Sequence, residues 1–387
     1  MPSVLDEAVE ILGKLVACET ISGTPTHDIT AYIQEYLARF GVETHLSFDE
    51  TGERANVFAT IGPEVDGGVV LNGHLDVVPV EGQNWRSDPF VLTRRGDRLF
   101  GRGSVDMKGF LACVLASVPR FQAANLTRPI HIAFSYDEEV GGLGMPVLLE
   151  SMAYKPYRPD IVIVGEPTGM NIVTGHKGGY EMLTEITGHA VHSCDPTKGA
   201  NAIAAAMKII GKIEAMGAER AANPITGSAF DPPYPTFNVG MIEGGAARNA
   251  TAGWCTIKWE YRPMPGEDGA AAIREIEDFA MTEVLPGLRA VSPETDIKFV
   301  TEVAVPPLDD RNAKAAAEFV SALTGINGTS VVSFGTDAGY FSDAAFSTVV
   351  FGPGDISRAH KADEFIELSE LSQGLDFLHK LAGRLAG

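Results

Sequence analysis

The sequence predicts an α/β protein in which a mostly parallel central sheet is interrupted by a smaller, ferredoxin-like βαββαβ unit. Three observations lead to this prediction. Up to about residue 177, near-continuous apolar segments of strand length alternate with segments of helical periodicity, which is typical of a parallel sheet covered by helices. From about residue 178, apolar and polar residues alternate, as in a sheet with one solvated face. The first pattern returns near residue 312, so the smaller unit is an insertion.

The N-terminal region begins with two predicted helices. Ser3 and Asp6 form a capping-box pattern before apolar residues at helical spacing. A second helical pattern ends at Gly41, a residue that commonly terminates helices. Short strands are predicted near residues 42–48 and 55–61.

Apolar strands then alternate with helices. The predicted strands are GVVLNGH, IHIAFS and DIVIVGEP before the insertion, and SVVSF and STVVFGPG after it. The inserted unit reads as a strand at YEMLTEITG, a helix at 200–215, strands near 236–242 and 253–262, a helix near 267–283 and a strand near 296–301. That order is βαββαβ. We place the larger domain at 1–177 and 291–387, and the inserted domain at 178–290.

Composition excludes several classes of protein. The formal net charge is -21, so the chain would repel the phosphate backbone of a nucleic acid, and equally an anionic membrane. An acidic start and the absence of an apolar run near the roughly 20 residues of a membrane span predict a cytoplasmic protein. None of the four cysteines forms a CxxC pair, so any bound metal is expected to have His and carboxylate ligands.

Residues of the metal-binding type follow four of the predicted strands. They are His74 and Asp76, Asp137 with Glu138 and Glu139, Glu166, and His360. Asp106 lies in a Gly-rich turn just before a predicted helix. Because ligands of open α/β sheets gather at the carboxyl ends of the strands, we expect these side chains to meet at one edge.

Each of these residues alone has an ordinary structural explanation. Asp106 is more often a helix N-cap, Glu166 before Pro167 fits a turn, and adjacent glutamates are usually solvated. Together they supply two imidazoles and at least three carboxylates, a donor set that suits zinc, cobalt or manganese. A bridging carboxylate would allow two metals about 3.5–4 Å apart, as in two-metal hydrolases.

Five ordered motifs carry a resemblance to a known family. GHLDVVP, GRGSVDMKG, YDEEVGG, VGEPT and the late GPG…AH resemble the M20 family of metallopeptidases and deacylases. The resemblance covers essentially the whole chain. It implies a zinc-peptidase-like catalytic domain, an inserted lid domain that forms a homodimer, and a small N-acyl amino acid as the molecule bound.

The resemblance also implies roles for single residues. The implied ligands of two divalent ions, zinc with cobalt as a substitute, are His74, Asp106, Glu139, Glu166 and His360. Asp106 would bridge the two ions, with His74 and Glu166 on one and Glu139 and His360 on the other. Glu138 would be the general base, and Asp76 would orient His74.

Further motifs in the insertion resemble lid segments of the family. GHAVHSCDPTKGANAI implies that His192 crosses the dimer and stabilises the oxyanion, whereas a His packed at a strand end is the alternative. GGAARNAT and EYRPMPG implicate Asn249 and Arg262 in binding the substrate carboxylate. Arg262 has the alternative of pairing with Glu260 or Asp268 on the surface.

The C-terminal motifs indicate a branch of the family. FGTDAGYFS and VVFGPGDISRAHKADEFI resemble the acetylornithine deacetylases, which implies hydrolysis of N-acetyl-L-ornithine to L-ornithine and acetate in arginine biosynthesis. Asp337 is then a candidate contact for the ornithine ammonium group, with a helix cap as an equal alternative. A succinyl-diaminopimelate desuccinylase, another aminoacylase or carboxypeptidase, and a non-catalytic amino-acid-binding protein remain as alternative functions.

Overall fold

A computed structural model describes residues 3–153, 155 and 157–387. The chain forms two compact units. The first contains the residues through His176 together with Leu308–Val331 and Thr336–Gly387. The second contains Lys177–Pro307 and Val332–Gly335.

The elements are numbered in chain order. The helices are α1 (Val4–Ala17), α2 (His27–Ala38), α3 (Lys108–Ala123), α4 (Met145–Ala153), α5 (Ala202–Ala222), α6 (Gly269–Phe279), α7 (Leu285–Arg289), α8 (Asp310–Thr324), α9 (Ala338–Asp343) and α10 (Leu368–Leu385). The strands are β1 (Thr44–Phe48), β2 (Ala55–Ile61), β3 (Val69–His74), β4 (Thr93–Arg95), β5 (Arg98–Phe100), β6 (Ile130–Ser135), β7 (Ile161–Val164), β8 (Ile172–His176), β9 (Gly179–Thr187), β10 (Thr236–Gly244), β11 (Trp254–Arg262), β12 (Asp296–Val305), β13 (Thr329–Val332), β14 (Ser347–Val350) and β15 (Phe365–Glu367).

The first unit is built on an eight-stranded sheet in the order β1-β2-β6-β3-β7-β14-β8-β13. Its centre, β6-β3-β7-β14, is parallel, and antiparallel pairs flank it on both sides. Every residue of β3, β6 and β7 is buried, which explains why their sequences are almost continuously apolar. The predicted α/β class with a mostly parallel central sheet is confirmed.

Helices α1, α3 and α10 pack together over this sheet. Ser3 caps α1 and forms the predicted capping box with Asp6. On the inner side of α1, Leu12 and Leu15 are fully buried. Burial of each such side chain contributes about 1.5–3 kcal/mol to the free energy of folding. Helix α3 is buried along most of its length, so its N-terminal end is a fixed support for the turn that precedes it.

A second, three-stranded sheet in the first unit was not predicted. It has the order β15-β5-β4, and Phe365 pairs with Phe100. Strands of three residues carry too little periodicity to be recognised. This sheet connects the chain just before the Asp106 turn to the chain just after His360.

The second unit is a four-stranded antiparallel sheet in the order β10-β11-β9-β12, with α5, α6 and α7 packed against it. A π-helical turn at Ala280–Val284 joins α6 to α7. The ferredoxin-like βαββαβ prediction is confirmed. The unit extends to Pro307 rather than to residue 290, because β12 pairs with β9 from Asp296 to Val305.

No helix among the described residues has the length and apolar character needed to cross a membrane.

Candidate metal centre

The candidate ligands lie just beyond the carboxyl ends of neighbouring strands. His74 is the last residue of β3, and Glu138 and Glu139 follow β6. Glu166 follows β7, and His360 lies in the loop after β14. Because β6, β3, β7 and β14 are adjacent and parallel, their carboxyl ends meet at one edge of the sheet.

Asp106 lies at the middle of this group. Its Oδ1 is 3.1 Å from Nε2 of His74, and its Oδ2 is 3.2 Å from Nε2 of His360. The N-cap of α3 is Met107, not Asp106, so the helix-cap alternative is wrong. The carboxylate instead presents one oxygen to each imidazole, which is the arrangement expected of a bridging ligand.

Each imidazole also contacts a second carboxylate. Nε2 of His74 is 3.6 Å from Oε1 of Glu166, and Nε2 of His360 is 3.0 Å from Oε2 of Glu139. Donor atoms of His74, Asp106 and Glu139 lie within 4.8 Å of one another, and so do those of His74, Glu138 and Glu166. These two overlapping groups contain only nitrogen and oxygen donors, the set that borderline divalent metals accept.

The charges of this group call for a cation. Burial, reinforced by neighbouring carboxylates, raises the pKa of Glu138 and of Glu166 well above the usual range. Burial and the Asp106 carboxylate raise the pKa of Glu139 to about 7. Hydrogen bonds to Asp106 and Glu139 raise the pKa of His360 to about 10. The protein therefore holds protons where divalent ions would compensate the negative charge, and the residues present fit such ions.

Asp76 holds the turn that carries the two glutamates. Its Oδ1 accepts a hydrogen bond from the backbone N–H of Glu138 at 3.0 Å, and its Oδ2 accepts from the N–H of Glu139 at 3.2 Å. The Ser22 hydroxyl also donates to Oδ2, at 2.7 Å. Nδ1 of His74 lies 3.6 Å from Oδ1 but 2.9 Å from the main-chain oxygen of Asp76. The His74 ring is thus oriented chiefly by the backbone.

Asp137 is separated from the glutamates that follow it. Its carboxylate accepts hydrogen bonds from the N–H of Gly23, at 2.8 Å, and from the Arg54 guanidinium. Its φ of 54° turns the chain so that Glu138 and Glu139 face the centre. Sequence reasoning did not identify Arg54 or Gly23 as partners, because both come from distant parts of the chain.

Asp337 is buried beside the centre. Only 1% of its surface is exposed, and the Ser135 hydroxyl donates to its carboxylate. Burial raises its pKa to about 6. It is the N-cap residue of α9, but its side chain makes no capping hydrogen bond, so the capping alternative is wrong. Contact with a substrate ammonium stays a prediction, and the burial of Asp337 weighs against it.

The second unit contains the other three predicted residues. His192 is exposed, so the packed-histidine alternative is wrong; its Nδ1 accepts a hydrogen bond from the N–H of Cys194 at 3.2 Å. Asn249 lies next to it, because the N–H of Ser193 donates to the Asn249 carbonyl at 3.0 Å. Nη2 of Arg262 is 2.9 Å from Oε2 of Glu260, the surface pairing that the sequence offered as an alternative.

Two functional candidates were missed in the sequence. Arg102 and Glu364 form a buried ion pair directly behind Asp106. Both lie inside motifs already singled out, GRGSVDMKG and AHKADEFI. The available signal was that each of these two motifs contains a charged residue close in sequence to a candidate ligand.

Comparison with known proteins is consistent with this geometry. The profile of peptidase family M20/M25/M40 matches residues 70–384. The acetylornithine deacetylase of Yersinia pseudotuberculosis serotype O:1b (strain IP 31758) is 34% identical over 341 residues, covering 86% of this chain and 84% of that protein. The acetylornithine deacetylase of Pasteurella multocida (strain Pm70) is 29% identical over 383 residues, 97% of each chain.

Solved structures share the fold at low sequence identity. The M20 metallo-carboxypeptidase Sso-CP2 of Sulfolobus solfataricus has a TM-score of 0.72 at 19% identity, over 99% of both chains. The YXEP protein of Bacillus subtilis, described as a dinuclear metal-binding peptidase of the M20 family, has a TM-score of 0.67 at 14% identity, over 98% of both chains.

Proposed function

We propose that this chain, a metal-dependent hydrolase that belongs to peptidase family M20/M25/M40, removes the acetyl group from Nα-acetyl-L-ornithine to give L-ornithine and acetate. One observation carries the proposal of a two-metal centre. The two oxygens of Asp106 contact different imidazoles, at 3.1 Å and 3.2 Å, and each imidazole contacts its own glutamate. The substrate is taken from the two curated relatives named above, which are acetylornithine deacetylases.

The arrangement supports the ligand roles that the family resemblance implies. His74 and Glu166 would hold one ion, Glu139 and His360 the other, and Asp106 both. Divalent ions held there, with zinc as the proposed metal, supply Lewis acidity, which lowers the pKa of a water molecule and polarises the scissile carbonyl. The absence of thiolate among the donors is compatible with cobalt as a substitute.

Glu138 would move the proton during the reaction. It accepts a proton from the attacking water as the new C–O bond forms, and it gives that proton to the amide nitrogen as the C–N bond breaks. Its position supports this role, since the amide of Glu138 is fixed by Asp76 at 3.0 Å while its side chain takes part in the His74–Glu166 donor group. This position beside the proposed ligands is what a general base requires.

Residues of the second unit would bind the rest of the substrate. We propose that His192 of one subunit donates a hydrogen bond to the tetrahedral oxyanion formed in the other subunit of a homodimer, and that Asn249 and Arg262 bind the α-carboxylate. The exposed imidazole beside Asn249 supports the first part. The pairing of Arg262 with Glu260 means that the substrate carboxylate would have to compete with that glutamate.

A homodimer formed through the second unit belongs to the same proposal. β10 is an edge strand of its sheet, and Met241 and Ile242 on it are 66% and 52% exposed. Unpaired edge strands with exposed apolar residues are ready-made pairing surfaces. Sedimentation at several protein concentrations, with Met241→Lys beside the wild type, tests this assembly.

The deciding experiment measures amine release from Nα-acetyl-L-ornithine beside N-succinyl-diaminopimelate and N-acetylmethionine. Each assay is run with added Zn²⁺ or Co²⁺ and with a chelator. Fast, chelator-sensitive release from acetylornithine alone is the expected result. Preference for another substrate would retain the two-metal chemistry and refute the substrate. Metal binding without any release would favour a non-catalytic amino-acid-binding protein.

A further inference from the structure

A buried ion pair lies behind the candidate metal centre. Nη1 of Arg102 is 2.6 Å from Oε2 of Glu364, and both side chains are 1% exposed. Moving two charges out of water costs several kcal/mol per ion, so such a pair is seldom a net gain in stability. The other atoms of the two side chains show what the pair contacts.

Glu364 binds both ends of the turn that presents Asp106. Its Oε1 accepts hydrogen bonds from the N–H groups of Val105, at 3.0 Å, and Asp106, at 3.2 Å. Its main-chain oxygen accepts from the N–H of Gly101 at 3.0 Å. The Asp106 turn is therefore attached to the segment that begins at His360, only four residues before Glu364.

Arg102 continues the network toward His360. Its Nη2 donates to Oε1 of Gln83 at 2.6 Å, and Nε2 of Gln83 donates to the main-chain oxygen of His360 at 3.2 Å. The indole of Trp85 lies 5.1 Å from the guanidinium and also donates to Gln83. An uninterrupted set of contacts thus runs from the Asp106 amide to the His360 carbonyl.

The two imidazoles differ in what else holds them. His74 ends a fully buried strand, and its Nδ1 is fixed by the Asp76 main chain at 2.9 Å. His360 lies in a loop, with a φ of 60° and a side chain that is 53% exposed. Loss of the network would therefore loosen His360 relative to Asp106 and leave His74 in place.

We propose that Glu364 is a positioning residue that, through Arg102 and Gln83, fixes the separation of Asp106 and His360 and so sets the affinity of one of the two cation positions. The inference rests on the proposed metal centre. It assigns Glu364 no contact with substrate or metal. Residues behind metal ligands typically change metal affinity 10- to 100-fold when they are lost, roughly the size of effect expected here.

Two double variants isolate the hydrogen bonds from the charge. Arg102→Met/Glu364→Gln and Arg102→Met/Glu364→Met both remove the ion pair, and Gln and Met have similar length. Only Gln keeps an oxygen that accepts from Val105 and Asp106. Each metal-free protein is titrated with Co²⁺, followed by calorimetry and visible absorption, and its unfolding midpoint is measured without metal.

The wild type should bind two Co²⁺. Both double variants lose the Arg102 link to Gln83, so one binding event should weaken in both. It should be weakest, about 10- to 100-fold below the wild type, in the Glu364→Met double variant, which also loses the hydrogen bonds to Val105 and Asp106. The other binding event should be equal in both. Equal titrations with different unfolding midpoints would show a merely structural role and overturn the inference. A wild type that binds fewer than two Co²⁺ would instead refute the proposed centre.

A milder variant covers the case in which a double variant does not fold. Gln83 is only partly buried, so Gln83→Leu removes the link to His360 without emptying a buried site. It should weaken the same binding event by a smaller factor and lower the unfolding midpoint moderately, because the buried Arg102 guanidinium loses the Gln83 acceptor. An unchanged Co²⁺ titration in Gln83→Leu would overturn the part of the inference that concerns His360.

Discussion

Asp76→Asn tests whether Asp76 acts on the glutamate turn or on His74. The carboxylate accepts from the amides of Glu138 and Glu139 and from Ser22. An asparagine keeps one oxygen and replaces the other with an NH₂ group. The Ser22 hydroxyl can rotate so that its oxygen accepts from the NH₂ group, so this group should take the place of Oδ2. The Glu139 N–H, which donated to Oδ2, then faces another donor and loses its hydrogen bond.

The magnitude follows from that single lost contact. A hydrogen bond to a charged group contributes about 1.5–3 kcal/mol, and each 1.4 kcal/mol is about tenfold in an equilibrium constant. Asp76→Asn should therefore lower the free energy of unfolding by about 1.5–3 kcal/mol and weaken the cation position that includes Glu139 by about 10- to 100-fold. The position that includes Glu166 should keep its affinity, since the Asp76 main chain still fixes His74.

The assay is a Co²⁺ titration of the metal-free variant, with Asp268→Asn as the control. The Asp268 carboxylate accepts from the amide of Ala271 at 3.1 Å and pairs with Arg274, so it supports the start of α6 in the second unit and contacts no candidate ligand. Asp268→Asn should lower stability slightly and leave both Co²⁺ affinities unchanged. Equal weakening of both positions in Asp76→Asn, or the same weakening in the control, would refute the reasoning.

Three further predictions concern separate parts of the molecule. Glu138→Ala should retain two bound ions and lose about 10²- to 10⁴-fold in kcat, measured by amine release and metal analysis; near-normal turnover would remove Glu138 from its role. His192→Ala should lose about 10²- to 10³-fold in kcat with an unchanged unfolding midpoint, because the side chain is exposed; a destabilised but active variant would contradict this. Burial, with Lys155 nearby, lowers the pKa of His131 to about 4 from 6.5, so the unfolded chain takes up the proton first as pH falls. The stability present above pH 6.5 should then decrease by about 1.4 kcal/mol per pH unit toward pH 4, and His131→Phe, followed by urea unfolding across that range, should remove this contribution; an identical slope in the variant would refute it.

Much of the fold and the candidate ligands could be predicted because they follow a short-range pattern. Buried parallel strands are apolar along their whole length, and their carboxyl ends are where polar residues such as His74 and Glu166 interrupt that pattern. The parallel neighbours then bring these residues together. No contact between distant segments had to be known in advance.

The supporting contacts could not be predicted in the same way. Glu364 meets the Asp106 amide across 258 residues of sequence, and Arg54 meets Asp137 across 83. Neither pair has a periodic signature, and each side chain alone reads as an ordinary surface charge. The end of the second unit was misplaced for a related reason, since only the pairing of β12 with β9 assigns residues 296–305 to it.

The strand order of the first unit has a consequence for synthesis of the chain. Strand β14 lies between β7 and β8, yet the ribosome makes both neighbours, and then all of the second unit, before it reaches Ser347. Domains generally fold as units as they emerge from the ribosome. The second unit is therefore able to fold while the first unit still lacks its interior strand β14. The proposed metal centre, which includes His360, is therefore completed only after the whole second unit has been made, so metal loading follows the synthesis of that unit and not the early growth of the chain.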